Sequence, residues 1–187
     1  MWRKIKIYKE HKGTQKIDTE RLILRKFKNT DAEEIFNNWL SDPEVSKYIV
    51  WNHQKNIEET KRWLEKCIAK YEKLDSYNWG IELKESGELI GSISANKADN
   101  IDECYEIGYA IGRRFWRNGY ATESLKAVVE YLIKEVGIRK FLCRYAKENQ
   151  ASGNVIRKVG FEYRGKGQFT SIDGERNFES EEYFLER

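Results

Sequence analysis

Two kinds of hydrophobic periodicity occur along the chain, and together they predict both strands and helices. Between Arg21 and Phe27, Leu22 and Leu24 alternate with polar or charged neighbours, as expected of a strand with one buried face. A turn at residues 85–88 joins two further alternating segments into a hairpin. The predicted strands cover residues 21–27, 79–83, 89–97, 105–111 and 141–145, with final strands near Phe161 and Tyr183.

Apolar residues that recur every three to four positions predict the helices, and local signals mark where they start or stop. Thr30 and Glu33 form a capping box at the start of the first helix, and Asn56 is placed to cap the second. Gly137 and Gly160 end the last two, because glycine readily adopts the left-handed conformation that closes a helix. The predicted helices cover residues 30–40, 56–71, 125–136 and 150–159.

The order of these elements predicts a mixed sheet. A strand, a helix and another strand follow one another between residues 105 and 145, and such a unit usually forms a right-handed crossover between parallel strands. The strands before it are joined by short turns, which favour antiparallel pairing. The predicted fold class is therefore α+β, or mixed α/β, with one central sheet.

Length and composition favour a single compact domain. The chain has 187 residues, within the usual range of about 100–200 residues per domain. Hydrophobic residues make up 40% and aromatic residues 13%, which is enough apolar surface for a core. No repeat or Pro/Gly-rich linker divides the chain. Residues 1–16 are interpreted as a basic N-terminal extension, either flexible or forming an edge strand, and residues 17–187 as the domain.

Charge, cysteine and histidine usage argue against several functional classes. The formal net charge of +3 is too small to indicate binding to DNA or a membrane. No apolar run approaches the about 20 residues of a membrane span, and no signal peptide is visible, so a cytoplasmic protein is expected. The cysteines are expected to be reduced, and no metal site is predicted. The residues concerned are Cys67, Cys104, Cys143, His11 and His53.

The segment from Trp116 to Glu123 gives the clearest chemical signal. It lies between a predicted strand and a predicted helix and contains Gly119, so consecutive backbone N–H groups at the helix start can face one anion. Arg113, Arg114 and Arg117 lie beside this turn, and each could pair with a phosphate oxygen. The GxxxxGK[ST] lysine and the GxGxxG glycines are missing, which argues against ATP and nicotinamide dinucleotides. A tight turn with no ligand is the alternative interpretation.

A family resemblance rests on this segment. The sequence Trp116-Arg117-Asn118-Gly119-Tyr120-Ala121 resembles the Gln/Arg-x-x-Gly-x-Gly/Ala loop of the GNAT N-acetyltransferases, with Trp116 in place of the Gln or Arg. An aromatic residue there, followed by Gly-Tyr-Ala-Thr-Glu, is typical of the RimJ/RimL-like branch, which acetylates ribosomal-protein N-termini. The stretches 19–25, 149–152 and 158–161 also resemble that branch. The likeness extends from about Ile17 to the C-terminus.

The resemblance implies a fold and a co-substrate. The fold is a mixed, mostly antiparallel sheet of about seven strands, flanked by about four helices, with one parallel strand pair that splays apart. The co-substrate is acetyl-CoA, with its pyrophosphate on the loop amides and its pantetheine arm along the splayed strand. Asn149 and Asn154 match coenzyme contacts, although an N-cap and a first-turn amide are equally good interpretations. The implied coenzyme-binding residues are Tyr109, Ala110, Ile111, Arg117, Asn118, Gly119, Tyr120, Ala121, Thr122, Asn149 and Asn154.

Acetyl transfer to an amine requires a neutral nucleophile, a stabilised oxyanion and a proton for the departing thiolate. The resemblance implies Glu106 as the base, although such a glutamate is more often the cross-strand partner of an arginine or a solvent-facing residue. Many relatives have a tyrosine acid where this chain has Ile156. In this branch the acid corresponds to Ser152, which would otherwise be a capping residue. A backbone N–H near Ile111 is implied for the oxyanion.

The acceptor pocket is the least legible part of the sequence. The segments that line it in relatives contain Tyr48, Trp51 and Trp79 here, although core packing is the ordinary role of such aromatic residues. Acidic residues could attract a cationic amine, and the candidates are Glu44, Asp102 and Glu103.

The expected function is that of an acetyl-CoA-dependent N-acetyltransferase. Its expected acceptor is the α-amine of a protein, most simply a ribosomal protein, and its expected state is a monomer or homodimer. A first alternative is an acetyltransferase of a small amine, such as a polyamine, an aminoglycoside or an amino acid. A second is a non-catalytic module that binds acyl-CoA, or RNA through its basic N-terminal residues.

Overall fold

A central sheet of eight strands organises the structure. The computed structural model describes residues 10–187, and in this part of the chain the strand order is β1-β2-β3-β4-β5-β6-β8-β7. All neighbouring strands in it are antiparallel except β5 and β6, which run parallel. The strands are β1 (Ile17–Asp18), β2 (Leu22–Arg25), β3 (Tyr77–Leu83), β4 (Leu89–Lys97), β5 (Cys104–Ile111), β6 (Lys140–Ala146), β7 (Glu162–Thr170) and β8 (Asn177–Glu186).

Five α-helices flank the sheet in the described residues. Asn56 caps α3 by accepting a hydrogen bond from the Glu59 N–H at 3.1 Å, as its sequence position predicts. Gly137 and Gly160 have φ values of 83° and 95° and end helical segments, as predicted. Wider turns at 36–40 and 132–136 continue α1 and α4. The helices are α1 (Ala32–Ile35), α2 (Pro43–Ser46), α3 (Ile57–Ala69), α4 (Tyr120–Tyr131) and α5 (Gln150–Val159).

The structure confirms the predicted mixed fold and corrects some of its details. The two-residue strand β1 brings the strand count above the expected seven. An additional short helix begins at Pro43, where the Asp42 carboxylate accepts a hydrogen bond from the Glu44 N–H at 2.9 Å. The capping box expected at Thr30 is wrong, because Asp31 accepts the hydrogen bond from the Lys28 N–H at 2.8 Å.

Each face of the sheet packs against a different group of helices. Residues of α4 and α5, including Leu125 and Ile156, bury one face. Residues of α1 and α3, including Ile35 and Leu64, bury the other face together with Ala110 of β5. Because successive side chains of a strand point to opposite faces, Tyr109 faces α4 and α5 while its neighbour faces the first three helices.

The parallel pair separates along its length. β5 and β6 pair at three positions, which end at Glu106 opposite Leu142. Beyond that point β5 stays paired with β4 as far as Ile111, and β6 stays paired with β8 as far as Ala146. The two strands are therefore held apart by their outer neighbours, and the predicted splay is confirmed. We call the space between residues 107–111 and 143–146 the gap.

Part of the basic extension packs against the domain. Thr14 is buried, and its hydroxyl accepts a hydrogen bond from the Asn78 N–H at 2.9 Å. The His11 ring bonds to the Tyr77 hydroxyl at 2.7 Å. Residues 1–9 of the extension lie outside the described residues, and the boundary after residue 16 stays a prediction. Within residues 10–187, no helix is both long and apolar enough to cross a membrane.

Candidate active site

The loop before α4 adopts the turn that its sequence predicts. Gly119 has a φ of 82°, and Arg117 has a φ of 64°, so both lie in the left-handed region. The Asn118 side chain donates to the carbonyl oxygens of Phe115 and Trp116 at 3.2 Å each. The Trp116 indole N–H donates to the Ile111 carbonyl oxygen at 2.6 Å. The unusual tryptophan thus ties the loop to the end of β5.

This turn leaves a run of backbone donors without partners. Among the described residues, none accepts a hydrogen bond from the N–H groups of residues 117–122, whereas the Glu123 N–H is bonded to the Gly119 carbonyl at 3.0 Å. The first N–H groups of a helix lack internal acceptors, and the helix dipole adds positive potential there. The chemistry of this donor set suits a phosphate or pyrophosphate.

A salt bridge that sequence reasoning missed braces the loop. Arg21 Nε donates to Glu123 Oε2 at 2.8 Å, and Arg21 Nη1 donates to the Asn118 carbonyl at 2.9 Å. Burial tends to raise the pKa of Glu123, but hydrogen bonds from Thr19 and Arg21 outweigh it and leave that pKa below its ordinary value. Arg21 and Glu123 both belong to motif stretches, yet nothing local indicates that they meet.

The three neighbouring arginines have different surroundings. Arg113 Nε lies 3.0 Å from a carboxylate oxygen of Asp42. Arg114 is ion-paired with Glu88. Arg117 has no ion-pair partner among the described residues. Two of the three guanidinium groups are therefore engaged by carboxylates and link the loop to other segments.

The free edge of β5 supplies further unpaired backbone groups. The Gly112 N–H donates to the Ile90 carbonyl at 2.8 Å, and this bond shows which residues of β5 bond to β4. Counting back from Gly112, every second residue directs its backbone groups to β4. The backbone groups of the alternate residues Ile107, Tyr109 and Ile111 therefore point toward the gap. The Cys143 thiol donates to the Ile107 carbonyl at 3.4 Å and the Trp116 indole to the Ile111 carbonyl, so Tyr109 is the residue of the three whose N–H and carbonyl are both unpaired within residues 10–187. Ala110 instead pairs with β4, so its backbone is not available in the gap as the sequence prediction required, and its side chain is core.

Helix α5 borders the gap with the predicted polar residues. The Asn149 side chain accepts a hydrogen bond from the Ser152 N–H at 3.3 Å and caps the helix. Asn154 is exposed and accepts a hydrogen bond from Arg157 at 2.7 Å. Ser152 Oγ lies 2.9 Å from the Tyr109 hydroxyl. Of the predicted residues, Ser152 and Tyr109 are thus brought into direct contact.

Glu106 lies where the two strands begin to separate. Its carboxylate is held by Arg144 of β6, with Nε 2.8 Å from Oε1 and Nη2 2.9 Å from Oε2. Burial raises the pKa of Glu106, while the Arg144 charge works in the opposite direction. Arg144 Nη1 also lies 3.9 Å from Glu182. The cross-strand arginine partner considered from sequence is therefore present, beside the gap.

The acceptor aromatics occupy different places. Tyr48 and Trp51 lie in the loop after α2, and this loop meets the turn between β7 and β8, where the Ile172 N–H donates to the Val50 carbonyl at 2.7 Å. Trp79 is fully buried in the core and donates to the Gln15 carbonyl at 2.7 Å, as the core-packing alternative describes. A shallow pocket of about 260 Å³ lies at the junction, lined by Val50, Trp51, Asn52, Ile172 and Asp173.

Arg176 of the β7–β8 turn holds this junction together, and sequence reasoning did not find it. Its two terminal nitrogens donate to main-chain carbonyls of the last residue of α2 and of the loop after it. The distances to Ser46, Lys47, Ile49 and Trp51 are 2.9, 3.4, 3.2 and 3.0 Å.

The acidic residues proposed to attract an amine are spread out. Glu44 is exposed in α2. Asp102 and Glu103 precede β5, at the opposite end of that strand from the loop before α4.

A family model described as the acetyltransferase (GNAT) domain matches residues 21–162, which include the loop, the gap and α5. The chain belongs to the GNAT acetyltransferases. The resemblance inferred from the motifs is thereby confirmed, and the protein is an acetyltransferase.

The GNAT chain also resembles individual proteins over most of its length. It is 34% identical over 149 residues to the uncharacterized N-acetyltransferase YoaA of Bacillus subtilis, which covers 80% of this chain and 84% of that one. It is 23% identical over 176 residues to the ribosomal protein uS5-alanine N-acetyltransferase of Escherichia coli, covering 90% and 89%. The second relative supports the RimJ/RimL-like branch.

Solved structures agree on the fold. A GNAT-family acetyltransferase from Bacillus anthracis matches with a TM-score of 0.78 and 27% identity, over 92% of this chain and 98% of that one. RimL, an acetyltransferase of ribosomal L7/L12 solved with coenzyme A, matches with a TM-score of 0.78 and 21% identity, over 92% and 98%. The second likeness shows the shared fold alone.

Proposed function

We propose that this GNAT protein transfers the acetyl group of acetyl-CoA to the α-amine of a protein, such as a ribosomal protein. The observation that carries the proposal is the run of unpartnered N–H groups at residues 117–122, beside the unpaired edge of β5. Together they offer an anion site followed by a strand-like surface, which suits a pyrophosphate joined to a pantetheine arm. The ribosomal-protein relatives support the acceptor class.

In this proposal, the chain's own residues divide the coenzyme between them. The amides of residues 117–122 hold the pyrophosphate, and the gap-facing groups of Tyr109 bond to the pantetheine amides. The Trp116 indole N–H donates to the Ile111 carbonyl, which leaves the Ile111 N–H to stabilise the oxyanion. Arg117 is the neighbouring cation available to a phosphate.

The proposed reaction is direct attack in a ternary complex. The amine nitrogen forms a bond to the thioester carbon, the carbon–sulfur bond breaks, and the proton lost by the amine balances the one gained by the thiolate. Glu106 accepts the amine proton, directly or through water, and Ser152 donates to the sulfur. An α-amine has a pKa near 8, against about 10.4 for lysine, so deprotonating it costs about 3 kcal/mol less. A carboxylate paired with Arg144 therefore suffices for an α-amine.

The test is thiol release from acetyl-CoA with four classes of acceptor. These are short Ala- or Ser-initiated peptides, the same peptides blocked at the α-amine, polyamines and aminoglycosides. Release with free-amine peptides alone, together with a single acetyl group located at the N-terminus by mass spectrometry, is the expected result. Release with small amines alone would contradict the protein acceptor and leave acetyl transfer intact. Coenzyme binding without transfer to any of these acceptors would count against the proposed activity.

A further inference from the structure

The side chain of Tyr109 makes a contact that the proposed coenzyme binding by its backbone does not use. Its hydroxyl lies 2.9 Å from Ser152 Oγ and donates to the Ser152 carbonyl oxygen at 3.1 Å. We propose that Tyr109 is a positioning residue that orients the Ser152 hydroxyl toward the departing sulfur. This inference rests on the proposed function, since it concerns the group that faces the thiolate.

The hydrogen-bond capacities of the two hydroxyls support this role. A hydroxyl has one proton to donate and two lone pairs to accept with. When the serine proton turns to the sulfur, Ser152 Oγ can accept the Tyr109 proton. When no sulfur is present, the serine proton can rest on the tyrosine oxygen while the tyrosine donates to the Ser152 carbonyl. Tyr109 therefore has an acceptor in both arrangements, and the serine rotor has two defined positions.

The surroundings hold the backbone that carries Ser152 in place. The Ser152 N–H is held by the Asn149 carbonyl at 3.0 Å, within the first turn of α5. A Cβ added at Gly153 would come within 2.5 Å of the Tyr145 ring, so α5 lies tightly against β6. Ile156 is fully buried, so the position of the acid in many relatives supplies no polar group here.

Tyr109 orients the serine and does not act as a proton source. Burial raises the pKa of its phenol well above the ordinary value, and the Ser152 hydrogen bond opposes this only in part. The phenol consequently stays protonated during transfer. The amine nitrogen bonds to carbon and its proton goes to Glu106, while the sulfur leaves with the electron pair of the broken carbon–sulfur bond and takes the Ser152 proton. Water then returns a proton to Ser152 as Glu106 releases its own, so the transfer balances. No oxidant or further reactant is needed.

The test combines Tyr109→Phe with Ser152→Ala in a double-mutant cycle, with thiol release as the assay. We expect Tyr109→Phe to lower kcat about tenfold, as expected for one lost hydrogen bond that acts in the transition state. The KM values for acetyl-CoA and the acceptor should change less than about twofold. In the Ser152→Ala background the same substitution should change kcat less than about twofold, because the two residues act through one contact.

Tyr105→Phe is the matched control. Tyr105 lies on the same strand and face, is buried, and donates to the Asp75 carbonyl at 3.3 Å. The Tyr105→Phe substitution should leave kcat unchanged. Equal losses from Tyr105→Phe and Tyr109→Phe, independent losses in the double variant, or a full kcat in Ser152→Ala would each overturn the inference. The last result would also remove Ser152 as the proposed acid, but acetyl transfer to the α-amine would stand in all three cases. Absence of turnover by the unsubstituted chain with all acceptors would instead contradict the proposed function.

Discussion

The proposed coenzyme side, the loop before α4, and the proposed acceptor side, the loop after α2, are held by different kinds of contact. On the coenzyme side, the donors are backbone N–H groups of one short segment, residues 117–122. On the acceptor side, the loop with Tyr48 and Trp51 is held by the guanidinium of Arg176, 125 positions after Trp51. A surface made of backbone donors depends on local conformation, whereas a surface held by one long side chain depends on the meeting of distant segments. Substitutions should therefore affect one side without the other.

Glu106 lies where β5 and β6 separate, and its substitution has the largest expected effect. Glu106→Gln keeps the side-chain shape but removes the carboxylate proposed to accept the amine proton. We expect kcat to fall about a hundredfold, the lower range for loss of a general base. The Kd for acetyl-CoA should change less than about twofold. Steady-state thiol release and calorimetric coenzyme titration measure the two quantities.

Glu182→Gln is the control that distinguishes the loss of a general base from the loss of a negative charge beside Arg144, because Glu182 is the other carboxylate near that arginine. It should lower kcat less than about threefold. The pH profile adds a second check. Burial raises the pKa of Glu106 and the base works ionised, so activity should fall as the pH drops through that raised value. The amine must also lose its proton, so kcat/KM should rise with pH up to about 8. Equal losses of kcat in Glu106→Gln and Glu182→Gln would mean that the balance of charge around Arg144, and not a general base, controls the rate.

Gly119→Val tests the coenzyme side through its backbone. Gly119 has a φ of 82°, which a β-branched residue adopts only with strain, and the N–H groups after it depend on that turn. Strain of about 1–3 kcal/mol would be relieved by moving the loop, so the Kd for acetyl-CoA should rise about 10- to 100-fold. Calorimetry of coenzyme binding gives the result directly.

Gly87→Val is the matched control for that strain. Gly87 has a φ of 71°, and an added Cβ there would meet nothing within 4 Å. It lies in the turn between β3 and β4, so it should lower stability by a similar amount while the Kd for acetyl-CoA stays within about twofold. If both valine variants weakened coenzyme binding equally, the loop before α4 would not be the specific site.

Arg176→Ala tests the acceptor side. It removes the guanidinium contacts to the loop after α2 and leaves the backbone bond from Ile172 to Val50, so Tyr48 and Trp51 are held less firmly. The KM for an acceptor peptide should rise about tenfold, equivalent to about 1.4 kcal/mol of lost preorganisation. The Kd for acetyl-CoA should stay within about twofold.

Two further variants define what the Arg176 contact contributes. Arg164→Ala removes an exposed arginine of β7 whose partner is Glu162, and it should leave the acceptor KM unchanged. Arg176→Lys keeps the positive charge but loses the two terminal nitrogens that donate in parallel. Its acceptor KM should therefore lie between those of the unsubstituted chain and Arg176→Ala. A rise in the coenzyme Kd of Arg176→Ala, matching the rise in acceptor KM, would mean that the two sides are not independent.

The same contrast explains what could be predicted from the sequence. The turn at Gly119, the helix after it and the parallel strand pair follow from local signals, because glycine, periodicity and element order act over short stretches. The splay of that pair was implied by the family resemblance alone. The strand bearing Gly165 and Gly167 was predicted only as a final segment near Phe161, since its glycines and charges weaken the alternation. Helix α2 has only four residues, too few for a periodic signal.

Contacts between distant residues were beyond local patterns. Arg176 is one of 34 Lys and Arg residues, and no neighbouring residue marks it as the one that reaches the loop after α2. Arg113 and Arg114 were expected near phosphate because they lie close to the turn in sequence. Their pairing with Asp42 and Glu88 depends on how α2 and the β3–β4 turn pack against that region.

Glu123→Gln has the smallest expected effect and asks whether the coenzyme side also relies on a distant side chain. The ionised carboxylate accepts hydrogen bonds from Thr19 and Arg21, so the variant should lower the free energy of unfolding by about 1–2 kcal/mol at pH 7. Because folding lowers the pKa of Glu123, this stabilisation is present above the ordinary glutamate pKa of about 4.3 and is lost as the pH falls through the folded value.

Urea unfolding at about pH 7 and about pH 3.5 should therefore show a difference between Glu123→Gln and the unsubstituted chain that shrinks at the lower pH. Glu130→Gln is the control, since among residues 10–187 Glu130 has only an exposed pair with Lys134 at 3.4 Å, and the substitution should change stability by less than about 0.5 kcal/mol. The Kd for acetyl-CoA should rise about threefold in Glu123→Gln, because the Arg21 contact to the Asn118 carbonyl loses its anchor. An unchanged coenzyme Kd alongside the stability loss would show that backbone conformation alone maintains the anion site.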